Sequence, residues 1–407
     1  MNPWFVPLIG NCLKQIGVWI LLIALCLPLA GCWDQKELQN RHFALAVAID
    51  AADGSESAAE NFIQPYGGKQ FRMSVELLDF EPSQSERGRT SPIKTYVVSN
   101  TGRSFFEMNR DMTGQLGKTI SWEHIQAIVI SEAALEAGGL DQLIDWFLRD
   151  NEMRWRMRLY ITPGEAKSII KYKSPSGEPA GIFLANAARN AFRNPHIVGI
   201  NEDIGFTSGR LDKNLPLVLP KIELTENIIK LGGAAIIGKT GRLAAYLNDY
   251  DTMAEKFILG LEKGAVITTR CTAHPDYVLL YELFRHDTRL RAHVSGDNIY
   301  YTLDITMYGN IGELQRCPEP HDHANDDPEY VHKLELQFAK EVKQMVEHGL
   351  KVQQDMGIDV LSFGRELKIR YPGKWEEVKD RWDQDVFPTI PMVVSVNVNI
   401  TRVGEHK

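Results

Sequence analysis

Apolar residues follow different rhythms along this chain. Phe43-Ala44-Leu45-Ala46-Val47-Ala48-Ile49 alternates large and small apolar residues up to Asp50. That is the pattern of a strand covered on both faces. Phe71 to Phe80 reads as its return strand and Thr95 to Ser99 as a short third, with polar loops between. The spacing of Phe105, Met108, Met112 and Leu116 predicts a helix stopped by Gly117. Ile125 to Ile130 predicts a strand, and Leu140, Leu143, Ile144, Phe147 and Leu148 a second helical stripe. Arg154 to Ile161 alternates strictly, which predicts a strand with Trp155, Met157, Leu159 and Ile161 on one face and Arg154, Arg156 and Arg158 on the other. A helix to about Tyr172 follows, with Thr162 as its expected N-cap.

Ser174-Pro175-Ser176-Gly177 reads as a linker, Ala180 to Arg193 as a helix, and Asn194 to Pro220 carries no element signal. Gly232–Gly238 and Arg242–Leu247 predict a hairpin, and Asp249 or Asp251 caps a helix to about Lys263. Strands are expected near Ala265, Tyr277–Phe284, Arg289–Val294 and Ile299–Tyr308, then a long helix over Tyr330–Gln354 and a shorter one over Val360–Ile369. Trp375, Val378 and Trp382 mark a further core-facing helix. Val394, Val396, Val398 and Ile400 alternate with polar residues in a final half-exposed strand. The expected fold is α+β (mixed α/β): several sub-domains, each a mixed or antiparallel sheet packed by helices. The expected organisation is a leader over 1–31, an α/β domain over 32–172, an irregular middle region over 173–228 and an α/β domain over 229–407.

The composition, 44% hydrophobic and 24% charged over 407 residues, is that of a globular chain, and excludes collagen-like, disordered and disulfide-framework classes. A net charge of −8 argues against a nucleic-acid partner. Lys14, the apolar run Ile16–Leu27 and Leu29-Ala30-Gly31-Cys32 form a secretory signal whose end resembles a bacterial lipobox. Cys32 is then the lipidation site, carrying diacylglycerol, with an uncleaved anchor helix or a non-lipidated signal as alternatives. Cys12 and Cys26 leave with the signal; Cys271 and Cys317 either pair or stay free.

Candidate chemistry is sparse. Cys317 to Asp327 holds His321, His323 and carboxylates, but two prolines leave the backbone poorly organised for a metal. Gly233 to Thr240 matches Gly-x-x-x-x-Gly-Lys-Thr formally, yet its interior is an apolar strand and a second strand follows. No Gly-x-Ser-x-Gly elbow is present. Arg154, Arg156 and Arg158 are the candidate partner-binding residues, set against a solvated face paired with Asp150 and Glu152. No catalytic residue, metal site or cofactor is expected, which favours a binding or structural role.

The order of segments resembles the C-subunit lipoproteins of spore germinant receptors, the Ger(x)C family. The resemblance rests on Gly31-Cys32-Trp33-Asp34-Gln35-Lys36-Glu37-Leu38, on Glu123-His124 with the strand to Glu132, and on Arg149-Asp150-Asn151-Glu152-Met153-Arg154. It continues through Gly232-Gly233-Ala234-Ala235 and Gly241-Arg242-Leu243 to Asp355–Asp359, Tyr371-Pro372, Trp375, Trp382–Phe387 and Val403-Gly404. Trp122 departs from it where Gly is expected. The resemblance implies a non-enzymatic subunit, lipid-anchored on the extracytoplasmic face of what becomes the spore inner membrane, working with integral membrane receptor subunits. A solute-binding lipoprotein of an importer, with a cleft between two lobes, is the alternative, and an exported hydrolase using the 321–327 region a third.

Overall fold

The computed structural model describes residues 18–19, 41–52, 69–79, 93–191, 194–198, 203–261, 264–272, 274–315, 317 and 327–402. The chain divides into a unit ending at Arg41 and a compact unit from His42 to Lys407, and the fold below is that of the second.

Its first sheet contains nine strands among the described residues: β1 (Arg41–Ala51), β2 (Phe71–Leu78), β3 (Thr95–Gly102), β4 (Thr119–Ser121), β5 (Ala127–Ser131), β6 (Arg158–Thr162), β7 (Leu217–Thr225), β8 (Ile228–Ile237) and β9 (Leu243–Leu247). The order is β3-β2-β1-β5-β6-β7-β8-β9, with β4 pairing β1 to one side. β1, β5 and β6 run parallel in the register Val47–Ile128–Leu159, while β2 and β3 join antiparallel through Met73. β1 sorts its two faces by size. Val47 and Ile49 face a core built with α1 (Phe105–Leu116), α2 (Glu132–Gly138) and α3 (Leu140–Arg149). Ala46 and Ala48 face α4 (Ala166–Ile170) and α5 (Ala180–Arg189). The small side chains let α5 come so close that a Cβ on Gly181 would lie 2.3 Å from the Leu45 carbonyl oxygen.

Both helices on the small face are capped from far away in sequence. Asp50 accepts from the N–H groups of Ala166 at 2.7 Å and Lys167 at 3.0 Å, so the cap is Asp50 rather than Thr162, which ends β6. Glu76, inside β2, accepts from Ala180 and Gly181, each at 2.9 Å, and from the Thr95 hydroxyl. The stretch without an element signal holds α6 (Ile204–Leu211), capped by Asp203, and the start of β7.

α7 (Asp249–Leu259) leads into a four-stranded sheet in the order β10 (Val266–Arg270), β11 (Val278–Ser295), β12 (Asn298–Glu313), β13 (Met392–Arg402). β11 is one 18-residue strand with an irregularity between Leu283 and Arg285, where the sequence pattern suggested two strands. α8 (Pro328–Met356) lays Leu334, Phe338, Val342 and Val346 in the core beneath one face. α9 (Phe363–Arg370) and α10 (Pro372–Val378) close that core with Trp382 and Phe387. Asp359 repeats the capping device: it accepts from Phe363 and Gly364 N–H and from the Trp382 indole N–H. Cys271 and Cys317 form a disulfide with a Cα–Cα distance of 5.8 Å.

Candidate functional site

The residues singled out in the sequence scatter. Cys32 lies outside the described residues, as does the 318–326 stretch. The described ends of the latter have structural tasks: Cys317 is in the disulfide and Asp327 accepts from Glu329 N–H at the start of α8. Gly238 to Gly241 is the tight turn between β8 and β9, and Lys239 pairs with Asp383.

The strictly alternating arginine strand is corrected. Only Arg158 stands in a strand, where it opens β6; Arg156 sits in a turn and Arg154 just ahead of it, both exposed. Trp155, expected inward, is 56% exposed. The reason is local. Met157 N–H bonds back to the Arg154 carbonyl, and α6 docks here, with Gly205 N–H on the Trp155 carbonyl and Ile204 N–H on that of Met157. A strand cannot form while those carbonyls serve a helix start.

The described concavity with a mixed lining lies elsewhere, where β3 turns into α1 beside the end of α3. It has a volume of about 720 Å³. Arg103, Ser104 and Phe106 come from the strand-to-helix turn. Gln142, Asp145, Trp146 and Arg149 come from α3, at the i, i+3, i+4, i+7 spacing that gives one helical face. Asp150 and Asn151 close the rim, so the Arg149-Asp150-Asn151 segment that carries the family resemblance forms part of the wall. Ser104 caps α1, its hydroxyl accepting from Glu107 N–H at 3.3 Å. The floor is aromatic: Phe105 lies 6.0 Å from Phe147, and Trp146 meets Trp122 edge-to-face at 5.1 Å. Trp122, the departure from the resemblance, thus backs this pocket. Arg149 Nε donates to both Asp145 oxygens at 2.9 Å. Asp150 Oδ1 accepts from Glu152 N–H at 2.9 Å. By contrast, the buried Nε of Arg103 and Nε1 of Trp146 have no hydrogen-bond partner among the described residues. Sequence reasoning missed this site. The polar face of α3 was its available signal, but nothing ties Arg103 to it before the chain folds.

The groups most perturbed by burial lie apart from this pocket. Asp50, Glu76 and Asp359 are all pushed above the usual carboxylate range by desolvation, against the lowering effect of the N–H groups they accept. Each is committed to a helix start, a structural task rather than acid–base chemistry.

Comparison with known proteins places this architecture. The family described as "Spore germination protein N-terminal domain" matches residues 34–223, and "Spore germination B3/ GerAC like, C-terminal" matches 232–404. The chain is 26% identical to spore germination protein YndF of Bacillus subtilis (strain 168) over 407 residues, covering 97% of this chain and 98% of that one. It is 23% identical to spore germination protein KC of the same organism over 427 residues, covering 98% and 97%. The crystal structure of the GerBC protein shares the fold with a TM-score of 0.58 at 18% identity, over 90% of this chain and all of that one. With both halves matched in order along nearly its whole length, the chain belongs to the GerAC-like spore germination family, the Ger(x)C family.

Proposed function

We propose that this protein is the non-catalytic, lipid-tethered subunit of a spore nutrient-germinant receptor, acting on the extracytoplasmic face of the membrane in assembly or signal relay with integral membrane subunits. The observation that carries the reading is collinearity: two family matches cover 34–223 and 232–404, and Leu29-Ala30-Gly31-Cys32 stands directly ahead of the first. Among the described residues no helix is long and apolar enough to cross a membrane. The tether in this reading is diacylglycerol on Cys32, joined by a second acyl chain such as palmitate, because stable anchoring takes two chains. Holding the folded unit beside its partners raises their effective concentration without any further contact. The buried carboxylates support the scaffold by holding helix starts in place. Arg154 and Arg156, exposed on either side of Trp155, are the proposed partner contact, and Arg158 at the base of β6 supports it.

The test is Cys32→Ala in cells. Incorporation of labelled lipid is lost and the protein leaves the membrane fraction; a variant still firmly in that fraction refutes the tether. Arg154→Glu with Arg156→Glu keeps the melting temperature but weakens co-purification with the membrane subunits. Unchanged co-purification removes these arginines from the interface.

A further inference from the structure

We propose that the pocket between α1 and α3 binds a small carboxylate with an apolar body. The argument starts from hydrogen bonds not made. Buried polar side chains nearly always find partners, so two unpartnered donors lining one pocket call for an explanation, and a bound ligand is one that fits both. Here two donors lining one pocket are left over, Arg103 Nε and Trp146 Nε1, and Trp146 is only 8% exposed.

The charges around them are not equivalent. Arg149 already holds Asp145 through both carboxylate oxygens, which neutralises that pair. Arg103 makes no such pair through its Nε. Once the side chain turns its buried, unpartnered Nε toward the pocket, the guanidinium accepts a carboxylate side-on, with two parallel N–H donors, the strongest geometry it offers. The same turn adds a second attraction. Arg103 and Ser104 lead directly into the 12-residue α1, and Ser104 satisfies Glu107 N–H. The N–H groups of Phe105 and Phe106 belong to the first turn, which has no intrahelical acceptor and carries the positive end of the helix dipole. Both features favour an anion at one end of the pocket.

Three aromatic rings, Phe105, Phe106 and Trp146, form the apolar part of the wall, facing a polar rim of Gln142, Asp150 and Asn151 beside the Asp145–Arg149 pair. Phe106 is 48% exposed, and its outer ring face is covered by the Arg110 guanidinium at 4.9 Å. Trp146 and Phe105 form the floor. A volume of about 720 Å³ falls within the range of small-molecule sites, roughly 300–1,000 Å³. The ligand class that matches is a small acid whose carboxylate meets Arg103 and whose hydrocarbon or aromatic part lies between Phe106 and Trp146.

The full-length protein in detergent is titrated with phenylacetate, hexanoate and indole-3-acetate, followed by ligand-observed NMR, with phenylacetamide as the uncharged isostere of the first. At least one acid binds saturably. Phenylacetamide binds about tenfold more weakly than phenylacetate or worse, the scale of one lost charge-assisted hydrogen bond. Arg103→Gln reproduces that loss for the acids with an unchanged melting temperature, and Arg103→Lys recovers part of it. Trp146→Phe keeps the ring and loses a few-fold. Saturation by none of the three acids, equal affinity for acid and amide, or full affinity in Arg103→Gln overturns the proposal. Arg103→Gln still co-purifies with membrane subunits, so this site and the receptor role fail independently.

Discussion

The two sheets of this molecule bury their side chains by opposite rules. In the first, β1 from Phe43 to Asp50 and all of β5 are buried residue after residue, and the two faces differ in size rather than polarity. Helices lie on both sides, and the two polar residues inside these stretches, Asp50 and Ser131, each cap a helix start. In the second sheet, β12 alternates: Tyr301, Leu303, Ile305 and Met307 face the helices, while Tyr300, Asp304 and Tyr308 face out. The open face builds its own cross-strand contacts. His293 stacks on Tyr300 at 4.7 Å and bonds Thr302, and Arg285 covers Tyr308. A sheet clamped from both sides can tolerate little change. A sheet with a free face can vary there without unfolding, which is where a protein that works through partners can accumulate surface chemistry.

The largest effects are expected where the two regions behave alike, at the buried carboxylates that cap helix starts. Asp359→Ala orphans the N–H groups of Phe363 and Gly364 and the Trp382 indole; Glu76→Ala orphans Ala180, Gly181 and the Thr95 hydroxyl. At about 1 kcal/mol or more per buried orphan, each variant loses about 3 kcal/mol in denaturant unfolding. A loss under about 0.5 kcal/mol in either would break the claim that both halves depend on such caps. The pH dependence has a definite sign. Burial raises both carboxyls, so the native state takes up protons before the unfolded chain does. These groups therefore add stability as pH falls from neutrality through the folded-state value, and withdraw it as pH rises. Glu76→Gln with Asp359→Asn removes that component, and a curve parallel to wild type would contradict it.

Next comes the staple that, among the described residues, the second sheet has and the first lacks. Cys271 and Cys317 lie 46 residues apart, and closing such a loop is worth about 2–4 kcal/mol. Cys271→Ser with Cys317→Ser lowers stability by that amount, and reductant brings the wild type down to the level of the variant while leaving the variant unchanged. A reductant-insensitive wild type sharpens the comparison in the other direction, showing that helix packing alone holds the second core.

What the sequence revealed follows the same division. Where one period rules, as in Val394 to Ile400 or the size alternation of Ala46-Val47-Ala48-Ile49, strand and face could be read directly. Arg154 to Ile161 has a perfect period of two and still turns, because the carbonyls of Trp155 and Met157 are claimed by α6. α6 was itself hidden: Gly205, Ser208 and Gly209 are poor helix formers, and Asp203 at its cap was the usable sign. The caps Asp50–Ala166 and Glu76–Ala180 span 116 and 104 residues, and no local pattern encodes a bond of that reach. The pocket was half legible. α3 shows its polar face in sequence, but Arg103 joins it only through the packing of Phe105 on Phe147.

The smallest expected effect tests the free face itself. Phe284 is 51% exposed beside Leu283, which is 1% exposed, on the same strand. Were the open face covered in the folded unit, Phe284→Ala would cost as much as a buried aromatic, about 3–5 kcal/mol. With the face open, the substitution costs about 1 kcal/mol or less, because only half of the ring leaves water on folding. Chemical unfolding of the purified protein decides between these values. The same variant sharpens the comparison in sedimentation. If Phe284→Ala has that small cost but shifts the sedimentation coefficient of concentrated protein downward, the exposed face of the second sheet is where copies or partners meet. The same small cost with unchanged sedimentation leaves it as solvated surface, and the contrast with the doubly covered first sheet is then one of packing alone.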